Sequence, residues 1–462
     1  MKLSSHLVFV EKSNVVYHSF LGNAVVLDNH QLEDFKKLQN GEFDIRDKTL
    51  EFFKKNNFIL DDNITDEYEL LTPSIEKYKQ QLISGNSISK LLLYVTNSCM
   101  LRCKYCYEND SRCQEANIKQ NFMSFETAKN AIDCFYKIVK KQNKKLVYIN
   151  FMGGEPFVCK KLIKQCIDYC IELFKGIIIE FHANTNAVLI DDEIAKSWKK
   201  IIDSGHKVYM DFSIDGIKEI NDLTRVYANG NGTYDDIIKG IKKFIEYDIP
   251  KDGMCLLSTL TSSNYKSLNK LIDLASELGI KLKVQTLLFE SDMDVNDINE
   301  RIDCLISAKK YAEKKKVHFF GKWFKLLPHA KNAVINFCGR SGQQIAVNPD
   351  GEIFLCTGYM KTFGKIENWK KIFASPDYIK HGMRIVGNIK KCRDCEIEGM
   401  CAGGCAASAY ISHGDFFDND SKECEFRKKM LKKLIETFPE MLEQEKMSDH
   451  TEHTYTPIIK NI

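Results

Sequence analysis

The sequence predicts an α/β fold in which a parallel sheet curls into an open barrel. A small module precedes it and a cysteine-rich segment follows. From residue 90 onward, strand-like apolar runs alternate six times with amphipathic stretches, as strand–helix units of a parallel sheet do. The chain has 462 residues, 44% of them hydrophobic, which exceeds one ordinary domain and suffices for a large core. Of its 17 cysteines, seven fall between 338 and 424 and three within 99–106, so metal or redox chemistry is built into two places.

Residues 1–72 open with "HLVFV" and "NVVYHSFLGNAVVLD", then "NHQLEDFKKLQNGE" and "IRDKTLEFFKKNNFIL". Apolar β-rich runs followed by helical spacing predict a small β-plus-helix module without a catalytic constellation. Residues 73–89, "PSIEKYKQQLISGNSIS", read as a linking helix and loop. The barrel spans 90–325. Its strands are "KLLLYVT", "KLVYINFMG", "IIIEFHANT", "KVYMDFSID", "GMCLLSTLT" and "KLKVQTLLF", and amphipathic runs such as "FETAKNAIDCFYKIVKK" follow. This is a partial, TIM-like (β/α)6 barrel, whose active site belongs at the C-terminal ends of the strands. Residues 326–430 hold the second cysteine group, and 431–462 form a C-terminal helix and tail.

Lys and Arg number 66 against 63 Asp and Glu, a net charge of +3 that calls for no polyanionic partner such as nucleic acid. The N-terminal "MKLSSHLVFVEKSNVVYHSF" breaks its short apolar run with charge, and no stretch reaches the ~18–20 apolar residues of a membrane span. A cytoplasmic protein is expected. The cytosol keeps thiols reduced, so 17 cysteines exceed what disulfides explain. The scattered Cys113, Cys134, Cys159, Cys166, Cys170, Cys255 and Cys304 read as small core hydrophobes.

"NSCMLRCKYCYEND" places Cys99, Cys103 and Cys106 on the loop leaving the first barrel strand. Three thiolates can hold three irons of a 4Fe-4S cube and leave the fourth iron open; a zinc site completed by a distant histidine is the alternative. The CxxxCxxC spacing, with Tyr105 before the third cysteine, resembles the radical S-adenosylmethionine superfamily over residues 90 to about 290. "MGGEP" after the second strand resembles that superfamily's GGE motif. The likeness implies that Gly153, Gly154, Glu155 and Pro156 receive the cofactor's methionine amino group, the glycines allowing backbone carbonyls to come close. In "DFSIDG" and "DLTR" it implies that Ser213 and Asp215 contact ribose and carboxylate, and that Arg225 pairs with the carboxylate; turn chemistry at Asp215 and Gly216 is the alternative. "HANTNA", with Asn186, resembles a Thr-Asn-Gly turn but carries Ala187 where glycine is usual.

The second group runs Cys338, Cys356, Cys392, Cys395, Cys401, Cys405 and Cys424. Its spacing resembles the SPASM domain, which carries auxiliary 4Fe-4S clusters. By that resemblance Cys392, Cys395, Cys401 and Cys424 hold a distal cluster, and Cys338, Cys356 and Cys405 a nearer one that is one ligand short. "PHAKNAVIN" offers only His329 and Asn332 to complete it. Paired zinc sites are the alternative reading.

Three 4Fe-4S clusters and S-adenosyl-L-methionine are therefore the implied cofactors. The implied chemistry is reductive cleavage of the sulfonium to a 5'-deoxyadenosyl radical, then hydrogen abstraction from an unactivated carbon. Thr357 in "CTGYM" stands where many sulfatase maturases carry a basic aspartate. The N-terminal module resembles a winged-helix-like element that docks a precursor's leader peptide as an edge strand. The expected enzyme crosslinks a ribosomally made precursor peptide, a RiPP maturase fed by a donor such as flavodoxin or ferredoxin. A thioether bond is favoured because an open auxiliary iron could bind a substrate thiolate. Carbon–carbon crosslinking, maturation of a sulfatase or amine dehydrogenase, and a zinc-dependent interaction protein are the alternatives.

Overall fold

The computed structural model describes residues 2–60, 66–106, 108, 121–286, 295–324, 326, 334–340, 342–419 and 421–439. They form two compact units. One comprises the described parts of 1–80, 322–339 and 383–462; the other comprises 81–321 and 340–382.

In the first unit β1 (Lys2–Leu3) is followed by β2 (Leu7–Val10), β3 (Val15–His18) and β4 (Ala24–Val26), the last three an antiparallel sheet in that order. Helices α1 (Asn29–Gln39) and α2 (Asp47–Lys55) come next, and β5 (Ile59–Leu60) returns to pair with β1. Asp28 starts α1 with a reciprocal cap: its carboxylate accepts from the Gln31 N–H at 2.8 Å, and the Gln31 side chain accepts from the Asp28 N–H at 3.1 Å. Val16, Leu27, Phe35, Phe53 and Phe58 fill the core beneath these elements. The module is thus a small antiparallel sheet with two helices.

A second apolar cluster joins Phe20, Tyr68, Leu71 and Tyr78 to Val334, Phe337, Ile385 and Val386, with Cys338 and Cys405 packed against it. Beside it lies a buried polar network. The His6 imidazole Nδ1 is 2.6 Å from Glu67, the Tyr68 hydroxyl donates to Glu398, and the Asp394 N–H donates to the Tyr68 hydroxyl at 2.8 Å. The N-terminal module is therefore bonded into the cysteine-rich segment.

Helix α3 (Thr72–Ser84) belongs to the first unit as far as Gln80, and the second unit's sheet starts with β6 (Lys90–Thr96). Strands and helices then alternate as the sequence predicts: α4 (Phe125–Lys141), β7 (Leu146–Gly153), α5 (Lys160–Leu173), β8 (Ile178–Thr185), α6 (Asp192–Asp203), β9 (Lys207–Ser213), α7 (Lys218–Thr224), α8 (Tyr234–Glu246), β10 (Met254–Leu260), α9 (Leu268–Leu278), β11 (Lys281–Thr286) and α10 (Val295–Lys314). A short β12 (Phe319–Gly321) follows. Strands β6 to β12 lie side by side, each parallel to the next, in a sheet consistent with a partial barrel. Alternate strand positions, such as Ile149, Phe181, Met210 and Phe212, carry buried apolar side chains, as suits a sheet face covered by helices. Helix α4 shows why the crossovers pack: Ala128, Ala131, Ile132, Phe135, Ile138 and Val139 make one buried stripe, and Ser124 caps its start.

The units cut across the boundary read at 326. Strand β13 (Gln344–Val347) pairs in parallel with β6, and β14 (Glu352–Cys356) and β15 (Tyr359–Lys365) continue the sheet antiparallel. Residues 340–382 therefore belong to the barrel's unit. Among the described residues no helix is long and apolar enough to cross a membrane.

Candidate active site

The C-terminal ends of β6 to β10 carry the residues singled out in the sequence. Cys99, Cys103 and Cys106 sit on the loop that leaves β6 at Thr96. That loop is stitched to the chain after α7: the Arg102 N–H donates to the Val226 carbonyl at 2.7 Å and the Lys104 N–H to the Thr224 carbonyl at 3.0 Å. The Cys106 N–H closes on the Cys103 carbonyl at 3.1 Å. Donors face the sulfurs: the Leu101 N–H at 3.4 Å and the Asn186 amide at 3.6 Å from Cys99 Sγ, and the Arg225 guanidinium 3.5 Å from Cys103 Sγ.

Burial pushes the Cys99 thiol up to about 12 and the Cys106 thiol to about 11, so thiolate there asks for a compensating positive centre. Among the described residues no three of His, Cys, Asp and Glu converge tightly enough to ligate a single metal ion. Three thiols on one short loop, two of them facing N–H donors, have the donor set and outer hydrogen bonds that suit an iron–sulfur cluster.

Gly153 and Gly154 meet that loop at its root. A Cβ on Gly153 would stand 2.2 Å from the Thr96 carbonyl oxygen, and one on Gly154 would stand 2.6 Å from those of Asn97 and Ser98. The close approach the glycines permit is thus to the backbone under Cys99. The Glu155 carboxylate, 1% exposed, accepts from Thr185 Oγ1 at 2.7 Å, the Asn186 N–H at 2.7 Å and the Phe157 N–H at 3.0 Å. Burial raises its pKa to about 7. Glu155 ties the end of β7 to the end of β8, and Pro156 opens the short helical turn that follows. Asn186 is aimed at Cys99 from that same β8 end. Ala187 takes φ +63°, the left-handed conformation its glycine counterpart would adopt freely.

Ser213 closes β9 beside Leu257. Asp215 is buried, and its carboxylate accepts from the Tyr105 hydroxyl at 2.5 Å and the Thr224 hydroxyl at 2.8 Å, with the Arg225 Nε 3.6 Å away. Asp215 and Arg225 therefore clamp the cysteine loop through Tyr105 and Cys103. Sequence reasoning missed Thr224 and the Thr259 N–H, which reaches the other Asp215 oxygen at 3.3 Å. Thr224 stands inside "DLTR", where the resemblance marks only Arg225, and Thr259 lies in no motif.

Of the second cysteine group, Cys392, Cys395, Cys401 and Cys424 all belong to the first unit. Burial is the main cause that raises the thiols of Cys392, Cys401 and Cys424, and neighbouring cysteines add to it: Cys401 and Cys392 at Cys424, Cys395 at Cys401, and Cys401 at Cys392. The turn before Cys405 is held by Arg384, a fully buried guanidinium that donates to the Gly403 carbonyl at 2.8 Å, that of Gly404 at 3.0 Å, and that of Phe416 at 2.7 Å. Nothing in the spacing of the cysteines announces it. Cys338 and Cys405 share one apolar cluster, whereas Cys356, at the end of β14, belongs to the other unit. His329, Asn332 and Cys113 lie outside the described residues. Cys166, Cys170 and Cys255 are buried in the barrel unit, as small core residues are.

Residues 93–275 match the family model "Radical SAM superfamily", and 338–396 match the SPASM "Iron-sulfur cluster-binding domain". The chain is 25% identical over 426 residues to the radical SAM cyclopropyl synthase TigE of Paramaledivibacter caminithermalis, covering 87% of this chain and 85% of that protein. It is 24% identical to a cysteine-type anaerobic sulfatase-maturating enzyme of Clostridium novyi, covering 76% and 96% of the two chains. In fold it is similar to anSMEcpe with bound AdoMet (TM-score 0.60, 20% identity, 77% of this chain and 98% of that one). The same holds for SuiB of Streptococcus suis bound to precursor peptide SuiA (TM-score 0.53, 18% identity, 91% and 99%). These matches imply iron–sulfur clusters and S-adenosylmethionine as cofactors. With its first cysteine loop at the C-terminal ends of a parallel-rich sheet and its second cysteine group later in the sequence, the chain belongs to the radical SAM enzymes that carry a SPASM domain.

Proposed function

We propose that this enzyme is a cytoplasmic peptide maturase that oxidatively forms a bond within a ribosomally made precursor, receiving electrons from a flavodoxin or ferredoxin. The observation that carries the reading is an open sheet edge. Strand β4 ends the N-terminal sheet, and among the described residues nothing pairs with its outer side; Val26 there is 71% exposed. Such an edge can take an extended peptide as a further strand. The module of residues 1–72 is on this reading a winged-helix-like leader-recognition element. Likeness in fold to SuiB, a structure bound to its precursor peptide, extends over 91% of the chain and supports it.

Cys99, Cys103 and Cys106 hold the cluster that engages S-adenosylmethionine. Cys392, Cys395, Cys401 and Cys424 hold a second, and Cys338, Cys356 and Cys405 a third, giving three 4Fe-4S clusters. When bound, S-adenosylmethionine supplies a carbon radical able to take hydrogen from an unactivated carbon. Gly153, Gly154, Glu155 and Pro156 would receive its methionine end and Ser213 its ribose, while Asp215 and Arg225 fix the loop through Tyr105 and Cys103.

A thioether is the favoured bond where the third cluster, held by three cysteines, keeps an iron open to a substrate thiolate rather than closed by a further side chain. A second reading is a carbon–carbon bond, favoured by the likeness to a cyclopropyl synthase over 87% of the chain. Co-expression with short reading frames neighbouring the gene, followed by mass spectrometry before and after thiol alkylation, tests both. A product that has lost two hydrogens with one thiol fewer identifies a thioether; the same loss with every thiol free, no hydrazide-reactive carbonyl and fragment ions that stay joined across the linked residues identifies the carbon–carbon bond. Peptides of unchanged mass would contradict the maturase reading.

A further inference from the structure

The inner face of the barrel sheet is unexpectedly polar. A closed eight-stranded barrel of this class fills its interior with Val, Ile and Leu. Here side chains alternate along β9: Phe212 faces the helices and meets Phe244 of α8 at 5.7 Å, which turns Tyr209, Asp211 and Ser213 to the other side. On that inner face Asn184 of β8 donates from Nδ2 to Asp211 Oδ2 at 3.0 Å, and Lys283 of β11 lies 3.6 Å from the same oxygen. Asp211 is 5% exposed, and its Oδ1 has no hydrogen-bond partner among the described residues. The Oδ1 of Asn150 on β7, a residue 4% exposed, is likewise unpartnered among them.

Buried acceptors without donors are rare and costly, and two on one face point to a ligand that brings donors. The face is reached from the site already described. Ser213 and Asn186 lie one inward-facing step, roughly 6.6 Å, above Asp211 and its register partner Asn184 toward the C-terminal ends of the strands. Asn184, Ser213 and Lys283 are half-buried, so the row leads down from the cofactor's rim.

Building on the maturase reading, we propose that Asp211, oriented by Asn184 and Lys283, contacts the substrate peptide. Its free oxygen accepts an N–H of the segment held below the cofactor. The two neighbours perform distinct tasks. Asn184 occupies one carboxylate oxygen and so fixes which oxygen faces the chamber. Lys283, 3.6 Å from that same oxygen, places a positive charge beside the carboxylate.

The test uses reconstituted holoenzyme with S-adenosylmethionine and a displayed library of short random peptides, selected anaerobically. Wild type enriches a set of sequences, and the best of these is remeasured on Asp211→Asn. Because Asn184 Nδ2 must still face an acceptor, the new amide turns its NH2 toward the chamber, and donor replaces acceptor. The expected result is about a tenfold weaker Kd, with S-adenosylmethionine binding and the thermal midpoint unchanged. Methylating the backbone nitrogens of the peptide one at a time should reproduce that loss in wild type at one position and add nothing at that position in the variant. Lys283→Met, which leaves the acceptor in place but unbalanced, guards against misfolding of the first variant and should weaken binding of the same peptide. Equal affinity in wild type and Asp211→Asn, or additive effects at every methylated position, would overturn the assignment while leaving the maturase reading intact. Failure of wild type to enrich any peptide would instead overturn that reading and this inference with it.

Discussion

Glycine 240 shows how one missing methyl group reaches the cysteine loop. A Cβ at Gly240 of α8 would stand 2.0 Å from the Ala187 carbonyl oxygen, which cannot swing aside because Ala187 is buried in a left-handed turn. Gly240→Ala is expected to cost about 2 kcal/mol or more, read as a lowered thermal midpoint. It should also disturb iron loading, since Asn186 beside that turn donates to Cys99. The His6 and Glu67 pair makes a second residue-scale prediction. Burial alone would raise Glu67, but hydrogen bonds from His6, Ser4 and Ser5 hold it at about 2, below its ordinary 4.5. Burial also opposes charge on His6, yet Glu398 and Glu67 raise it above 6.5. The Glu67 contribution is present above pH 4.5 and lost as pH falls toward 2; the His6 contribution is present below 6.5 and lost as pH rises through the raised value. Counted once as a pair, they stabilise on the order of 2 kcal/mol. Glu67→Gln should lose most stability between about pH 5 and 6 and converge with wild type in strong acid, which denaturant unfolding across pH would measure.

At the scale of elements, the six barrel strands were legible because each is an apolar run bounded by turns, and the cysteine loop because its spacing is local. Strands β13 to β15 were not. Their place beside β6 is set by pairing Gln344 with Lys90 across the whole barrel, and no periodicity records a contact so distant in the chain. The same holds at the candidate site. The motifs marked Glu155, Asp215 and Arg225 as important, but their bonds to Thr185, Tyr105 and Cys103 arise only when separate strand ends meet. The leader-docking edge can be tested on one element alone. The Leu27 N–H donates to the Asn14 carbonyl, so by alternation Leu27 and Val25 face β3 while Val26 directs its N–H outward. Val26→Pro removes that outward donor and spares the β3 ladder. It should weaken leader-peptide binding about tenfold with under about 1 kcal/mol of stability lost, read by fluorescence anisotropy and melting. Unchanged leader affinity would assign the module to stability alone. Deleting residues 1–72 is a blunter tool, because it also removes His6, Glu67 and Tyr68 from the network that holds Glu398 between Cys395 and Cys401.

Across the whole molecule, the account rests on cysteines sorted into a set of three at 99–106 and a set of seven at 338–424, predicting about twelve irons and twelve sulfides per chain. The most direct measurement is iron content together with 5'-deoxyadenosine formation in wild type and in the combined variant Cys99→Ala, Cys103→Ala, Cys106→Ala, purified anaerobically. The account predicts that the variant loses about four irons, keeps the remainder and forms no 5'-deoxyadenosine. Retention of 5'-deoxyadenosine formation, or of the full iron content, would contradict it.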